Sequence, residues 1–208
     1  MPIIINCKPT SEDLTGRSHW WGFADLPKGV EYPALIEEDG FEDPMTFICQ
    51  IRLEEIAQHD PEGLLPHKGM LWFFASLDYF LGNIDAECEG IGEWDKRNFR
   101  VLYSEDELED FVTHPIYYED GEPAALPAEE LEFQRVKGEQ GPGEQLLGMP
   151  FFDEVKEQMK GCISLLQIDE KDEWGLRFFD CGMLNFMISK KDLKARRFDK
   201  VRLYMHCL

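Results

Sequence analysis

The sequence predicts an α+β fold, mainly antiparallel sheet built from two related β-rich halves with short peripheral helices. The first observation is an internal sequence repeat, because residues 47–51 and 69–74 resemble residues 165–168 and 182–187. Both copies run from an apolar segment through Gln-Ile and an acidic loop to Gly-Met-Leu and a second apolar segment. The second observation is that these apolar runs are short and continuous, as in strands covered on both faces. A repeated unit needs its neighbour to cover its apolar face, so the pattern predicts architecture and no particular chemistry.

The domain organisation follows from length and composition. A chain of 208 residues with 43% apolar and 12% aromatic residues is expected to form one compact domain spanning residues 1–208. Within it we predict an internal pseudo-repeat over residues 46–103 and 162–205. The glycine-rich stretch 138–143 is the candidate hinge between the halves.

The individual elements are predicted from apolar runs, alternation and helix signals. The expected strands are residues 46–53, 70–77, 97–103, 131–136, 162–168, 183–188 and 201–205. A capping-box match between Ser104 and Glu107, followed by a narrow apolar stripe, predicts a short acidic helix that ends before Pro115. A second short helix is expected over residues 151–160, ended by Gly161.

Net charge is the extreme property of this chain, at −21 with a pI of about 4.5. Phosphates of nucleic acids and anionic membranes would repel such a surface, so we expect neither as a partner. A basic protein would be attracted and steered. Residues 104–131 hold ten acids and no Lys or Arg, whereas residues 190–202 hold seven basic residues against two acids. An acidic surface that serves solubility alone is the alternative interpretation.

Two groups of residues are candidates for contact with a basic partner. One is the adjacent tryptophan pair and the other is the acidic segment that follows the predicted third strand. The candidate partner-binding residues are Trp20, Trp21, Glu105, Asp106, Glu109 and Asp110. For the tryptophans the alternative is a loop that plugs an apolar edge of the core.

Gln50, Gln167 and Asp180 are the candidates for a cleft between the repeats. Each glutamine ends an apolar strand, where a buried amide must be hydrogen-bonded or costs about 1 to 3 kcal/mol. Ligand contact is one interpretation, and pinning of neighbouring loop backbone is the other. Asp180 precedes the second Gly-Met-Leu segment, where it would serve either as a catalytic carboxylate or as a turn cap.

The sequence predicts no catalytic residue, no metal site and no cofactor. The five histidines lack the i, i+4 spacing of a helical metal site, and no Gly-x-Ser-x-Gly elbow is present. The six cysteines are widely spaced, which favours reduced thiols in a cytoplasm. No apolar run approaches the roughly 20 residues that span a bilayer, and the first residues have no signal-peptide pattern.

An ordered set of short motifs resembles the YwqG-like family, a bacterial domain of unknown function. The motifs include Leu-Pro-Lys-Gly at 26–29, Leu-Pro-His-Lys-Gly-Met-Leu-Trp at 65–72, Leu-Leu-Gly at 146–148 and Asp-Cys-Gly-Met-Leu-Asn at 180–185. The resemblance implies an α+β protein with antiparallel sheet. Relatives that lie beside secreted-toxin genes imply an immunity or interaction role.

We therefore expect a cytoplasmic binding protein, immunity-like, that captures a basic protein partner through an acidic surface. The alternative is an enzyme or small-ligand-binding protein with a cleft between the two repeats. The sequence leaves the oligomeric state open.

Overall fold

A computed structural model describes residues 1–36, 40–107, 110–118, 120–137 and 141–208. The strands are β1 (Ile3–Pro9), β2 (His19–Trp20), β3 (Ala24–Pro27), β4 (Ala34–Ile36), β5 (Glu42–Pro44), β6 (Thr46–Arg52), β7 (Met70–Ala75), β8 (Gly92–Glu93), β9 (Phe99–Ser104), β10 (Phe111–His114), β11 (Glu129–Arg135), β12 (Gln145–Gly148), β13 (Cys162–Asp169), β14 (Met183–Ser189) and β15 (Arg202–His206). The α-helices are α1 (Leu53–Ile56), α2 (Asp153–Gln158) and α3 (Lys190–Lys194). Short 3₁₀ turns lie at Ala57–His59, Asp78–Leu81, Lys96–Asn98, Asp172–Trp174 and Phe198–Lys200.

One eleven-stranded sheet forms most of the fold and curls into a half-barrel. Its strand order is β8, β15, β14, β13, β12, β1, β11, β2, β6, β7 and β9, and its described pairings are antiparallel. Two small ribbons, β3 with β10 and β4 with β5, stand apart from it. The mostly antiparallel sheet with a few short helices confirms the predicted α+β class.

Strands β7 and β14 are buried on both faces, which explains their unbroken apolar sequences. In β7, Leu71, Phe73 and Ala75 belong to the main core, while the alternate residues pack into a second cluster beneath β3. In β14, Leu184, Phe186 and Ile188 belong to the same main core, and Met183 and Met187 pack against α2. Because side chains alternate across a strand, each of these strands separates two apolar layers.

The centre of the main core is an aromatic contact between two distant strands. The rings of Phe73 in β7 and Phe186 in β14 lie 5.2 Å apart in an edge-to-face arrangement. Six strands separate β7 from β14 in the sheet order, so only the curl of the sheet brings these rings together. Both side chains are fully buried, which stabilises the fold by about 1.5 to 3 kcal/mol for each.

Several features recur at the two predicted repeats. A register shift lies between Phe47 and Cys49 in β6 and between Ser164 and Leu166 in β13, so one glutamine directly follows each bulge. Both repeat glycines also meet backbone closely, because a Cβ on Gly69 would lie 2.2 Å from the carbonyl oxygen of Ser104. On Gly182 it would lie 2.1 Å from the carbonyl oxygen of Phe178.

The acidic helix predicted from Ser104 to before Pro115 is wrong in its described part. Residues 108 and 109 lie outside the described residues, but Phe111–His114 forms β10, paired antiparallel with β3. The Phe111 ring packs 5.5 Å from that of Trp72, over the outer face of β7. Ser104 Oγ accepts from the backbone N–H of Asp106 at 2.9 Å, which makes a local turn. Tertiary packing of Phe111 therefore overrides the helical signal.

The helix predicted over residues 151–160 is present in shorter form as α2, followed by Gly161 with φ +82°. Of the candidate hinge, residues 138–140 lie outside the described residues. Both backbone polar groups of Gly143 are hydrogen-bonded. Its N–H donates to Asp169 Oδ2 at 2.9 Å, and its carbonyl oxygen accepts from Gln167 Nε2 at 2.9 Å.

Candidate aromatic cleft

The tryptophan pair lies inside the protein. Trp20 is 0% and Trp21 2% exposed, and both indoles pack against Trp174, with ring centroids 5.5 Å and 5.4 Å away. Trp21 has a positive φ of 54°, and its N–H donates to the carbonyl of Ile48 at 2.8 Å. Left-handed backbone at a bulky residue costs about 1 to 3 kcal/mol and is concentrated at functional sites. Both indoles therefore belong to the protein interior, and neither ring lies on the outer surface.

Beside Trp21 lies a cavity of about 530 Å³, which we name the aromatic cavity. Its wall comes from the turn after β2, from the start of β6, from the 3₁₀ turn Asp78–Leu81 and from the segment before β11. The aromatic residues on this wall are Trp21, Phe23, Tyr32, Phe47, Tyr118 and Trp174. A volume within about 300 to 1,000 Å³ is typical of small-ligand sites.

The charged residue on the described lining of the aromatic cavity is an aspartate. Asp78 lines it, and its Oδ1 accepts from Thr46 Oγ1 at 3.0 Å. Burial raises the pKa of Asp43, and the charge of Asp78 raises it further. Among the described residues, the lining contains no Lys, Arg or His. The cavity is therefore aromatic with an uncompensated negative edge.

A second cavity of about 400 Å³, the Asp25 cavity, adjoins the first. The two share a wall made by Gly22 and Phe23 on one side and by Pro123, Ala125 and Leu126 on the other. Gly22 permits this narrow wall, because its φ is +75° and an added Cβ would lie 2.8 Å from the Cβ of Ala128. We call the two cavities together the cleft.

Asp25 is the buried polar hub of the cleft. Its Oδ2 accepts from the N–H of Gly16 and from Gln50 Nε2, both at 2.8 Å, and its Oδ1 accepts from Thr113 Oγ1 at 2.6 Å. Burial acts to raise the pKa of Asp25, yet the donors around it, His19 foremost, lower it to about 2. A carboxylate so weakly basic, with its lone pairs already occupied, holds the wall in place and is a poor general base.

His19 supports the same hub. Its Nδ1 lies 2.7 Å from the carbonyl oxygen of Trp21, which only accepts, so Nδ1 carries a proton. Its Nε2 lies 3.9 Å from Asp25 Oδ2, and both side chains are almost fully buried. The histidine thus ties the left-handed Trp21 turn to the carboxylate.

Several partly buried ionisable groups also lie behind Trp174. Glu129 Oε1 accepts from the indole N–H of Trp174 at 3.1 Å, and Lys171 Nζ sits 4.2 Å above the ring. Burial raises the pKa of Glu144 to about 7, with Lys171 opposing the rise. Burial, reinforced by Glu144, also raises the pKa of the Cys7 thiol, so that thiol is un-ionised and unreactive. This cluster supports the indole that closes the aromatic cavity.

Two indole N–H groups in this region have no hydrogen-bond partner among the described residues, those of Trp20 and Trp21. A buried unpaired donor costs about 1 to 3 kcal/mol. Trp21 combines that unpaired donor with positive φ and a place on the cavity wall. It is the residue of the predicted set that the structure places in the cleft.

The predicted acidic residues lie elsewhere on the surface. Glu105, Asp106 and Asp110 are exposed and line neither cavity, while Glu109 lies outside the described residues. Local cations compensate part of their charge. Glu105 accepts from the Arg196 guanidinium, and Asp110 lies 4.0 Å from Lys28 Nζ.

Gln50, Gln167 and Asp180 are not brought together. Four strands lie between β6 and β13, and Asp180 is exposed. Gln50 bonds the Asp25 carboxylate, the Asp25 N–H and the Arg17 carbonyl. Gln167 accepts from the N–H of Phe151 and donates to Gly143, each at 2.9 Å. Both amides hold loop backbone, and the cleft that exists lies around Trp21 instead.

Most residues of the cleft were not predicted from the sequence. Tyr32, Asp78 and Trp174 lie far apart in the chain, and no local pattern joins them. Asp25 did carry a signal, because a single carboxylate between Ala24 and Leu26 in a strand implies burial with partners.

Within the described part of the chain, no group of His, Cys, Asp and Glu has the arrangement of a metal site. No described helix has the length and apolar character needed to cross a bilayer. No curated protein matches the sequence significantly. A family model described as Domain of unknown function (DUF1963) matches residues 18–207, a span that contains the whole cleft except its edge near Glu12 to Thr15. The chain belongs to this domain family of unknown function.

Proposed function

We propose that this chain is a binding protein that captures a basic protein partner and takes a cationic side chain of that partner into the aromatic cavity. The observation that carries the proposal is a 530 Å³ cavity with aromatic walls, a lining carboxylate and no basic side chain on its described lining. Aromatic faces attract cations by about 0.5 to 2 kcal/mol, more strongly where water is excluded.

The charge of the chain supports the same proposal at long range. A net charge of −21 attracts a basic protein and steers its approach, and salt screens that attraction. The exposed acids Glu105, Asp106 and Asp110 contribute to this field. We assign the specific contact to the cleft, because ion pairs with Arg196 and Lys28 already compensate two of those acids.

The proposed role and cellular compartment are those expected from the sequence. An immunity-like role in the cytoplasm suits an acidic protein with six free thiols, since reduced thiols are typical of that compartment. We also propose that the chain is YwqG-like and that its fold consists of two related halves. The matching bulges, glutamine bonds and crowded glycines support a common origin.

The experiment compares a labelled hexa-arginine peptide with hexa-citrulline, which has nearly the same shape and no charge. We expect the arginine peptide to bind and to weaken as salt is raised, because both the field and the cavity act on its charge. Asp78→Asn should weaken binding at least about tenfold, the loss of about 1.4 kcal/mol from a charge-assisted contact.

Asp106→Asn is the matched control, because it removes the same charge from an exposed site outside both cavities. We expect it to change affinity only slightly. Equal effects of the two variants would refute contact at the cleft, and equal binding of both peptides would refute charge recognition altogether.

A free organic cation is the second candidate ligand, and the cavity volume favours it. Here n-butylguanidinium is the probe. If it binds as tightly as the arginine peptide, the cleft is a small-ligand site. If the peptide binds at least tenfold more tightly, the partner's surface contributes and the primary proposal stands.

A further inference from the structure

A cavity of about 410 Å³ on another part of the molecule has the opposite character to the aromatic cavity. It lies between the loop of residues 62–66 and helix α3. Leu64, Leu65, Pro66 and Leu193 give it an apolar floor, and the charged residues on its rim are Glu62, Lys190, Lys194 and Arg196. We name it the lysine-rimmed cavity.

The rim concentrates positive charge in a chain whose net charge is −21. Its single acid, Glu62, already accepts from Arg135 at 3.2 Å, and Arg196 is paired with Glu105. The structure gives Lys190 and Lys194 no ion pair with any described residue. These two lysines are therefore the uncompensated charges of the cavity.

The backbone holds the two lysines close together. They stand four residues apart on α3, a spacing that puts them on one face of the helix, where like charges repel. Ser189 caps this helix by accepting from the N–H of Asp192 at 3.1 Å, and Leu193 anchors it in the core at 2% exposure. An anion between the ammonium groups would relieve their repulsion.

The opposite wall is equally well fixed. Asp60 is 4% exposed, and its Oδ2 accepts from the N–H of Leu65 at 2.8 Å. Its carbonyl oxygen accepts from the N–H of Gly63 at 3.0 Å. The loop is thus held in shape before any ligand arrives, which lowers the entropic cost of binding.

We propose that the lysine-rimmed cavity binds a small organic anion with an apolar body, such as a carboxylate or sulfonate on an alkyl chain or ring. The lysines would hold the anionic group, and the leucine floor would cover the apolar part. This site is independent of the aromatic cavity, because it lies on different elements and selects the opposite charge.

Calorimetric titration with octanoate, octanol and acetate separates the two contributions. We expect octanoate to bind at least tenfold more tightly than octanol, which lacks the charge, or acetate, which lacks the chain. The double variant Lys190→Gln/Lys194→Gln should weaken octanoate binding at least tenfold, and Leu64→Ser should weaken octanoate while leaving acetate unchanged.

Lys191→Gln is the control, since Lys191 is an exposed residue of the same helix that does not line the cavity. It should leave octanoate affinity within about threefold of the wild type. The substituted lysines are exposed, so thermal unfolding should confirm that each variant folds. Octanol binding as tightly as octanoate, or a double variant that matches Lys191→Gln, would overturn the proposal.

Discussion

Glu144 provides a quantitative test of the cluster of ionisable groups behind Trp174. It directly precedes β12, its carbonyl oxygen accepts from the N–H of Ile5 at 2.9 Å, and the residue is partly buried. Substitution of Glu144 by Gln keeps the shape of the side chain and removes the charge. The comparison of the two proteins therefore isolates the cost of burying a carboxylate.

The magnitude follows from the pKa of about 7 in the folded protein against the ordinary value of 4.5. At about 1.4 kcal/mol for each pH unit, that gap corresponds to about 3 kcal/mol. Because the pKa of Glu144 is raised in the folded protein, the wild type has its full stability below pH 4.5. It loses about 3 kcal/mol of its free energy of unfolding as the pH rises through 7. The glutamine variant lacks this loss, so its advantage over the wild type should be near zero at pH 4.5 and approach about 3 kcal/mol at pH 8.

Urea unfolding, followed by tryptophan fluorescence between pH 4.5 and 8, measures the difference. Glu157→Gln serves as the control, because Glu157 is an exposed acid on α2 and its variant should follow the wild type across this range. An advantage of Glu144→Gln that is constant with pH, or that grows toward acid, would show that the Glu144 carboxylate is not destabilised in the folded protein.

Three further predictions concern stability and are measurable by the same unfolding assay. Gly182→Ala should destabilise by about 1 to 3 kcal/mol, because its Cβ meets backbone at 2.1 Å, while Gly141→Ala, with nothing within 4 Å, should be nearly neutral. Asp25→Asn should cost about 2 kcal/mol or more at pH 7, and the wild type should lose that contribution as the pH falls from 3.8 through about 2. Phe73→Ala should cost about 3 to 5 kcal/mol, since it removes the ring that meets Phe186 at the centre of the core; a smaller loss than for Gly141→Ala would contradict that role.

Strands with strong apolar character were predictable from the sequence. The repeat hairpins β6–β7 and β13–β14 appear where the echoing segments predict them, because apolar runs of strand length are a local signal. The central strands β1 and β12 were not predicted. Ile3–Pro9 contains only three consecutive isoleucines, and Gln145–Gly148 only two leucines, so their pairing depends on neighbours distant in sequence.

The cleft was less predictable than the sheet. Its walls come from the β2–β3 turn, from β6 and from the segment before β11, and only the curled sheet brings them together. From the negative charge and the adjacent indoles we expected a basic partner to contact Trp20, Trp21, Glu105, Asp106, Glu109 and Asp110, and this stays a prediction. Charge counts report long-range attraction and carry no information on where an aromatic pocket forms.

Cation recognition by the cleft can be tested through the response of the indole N–H resonances of the five tryptophans to n-butylguanidinium. We expect the Trp21 and Trp174 resonances to shift saturably, because both residues line the aromatic cavity, while the resonance of Trp94, which lines a different pocket, stays unchanged. The neutral isostere n-butylurea should leave all five in place. Unchanged Trp21 and Trp174 resonances, or the same shifts with butylurea, would contradict the claim that this cleft selects an organic cation.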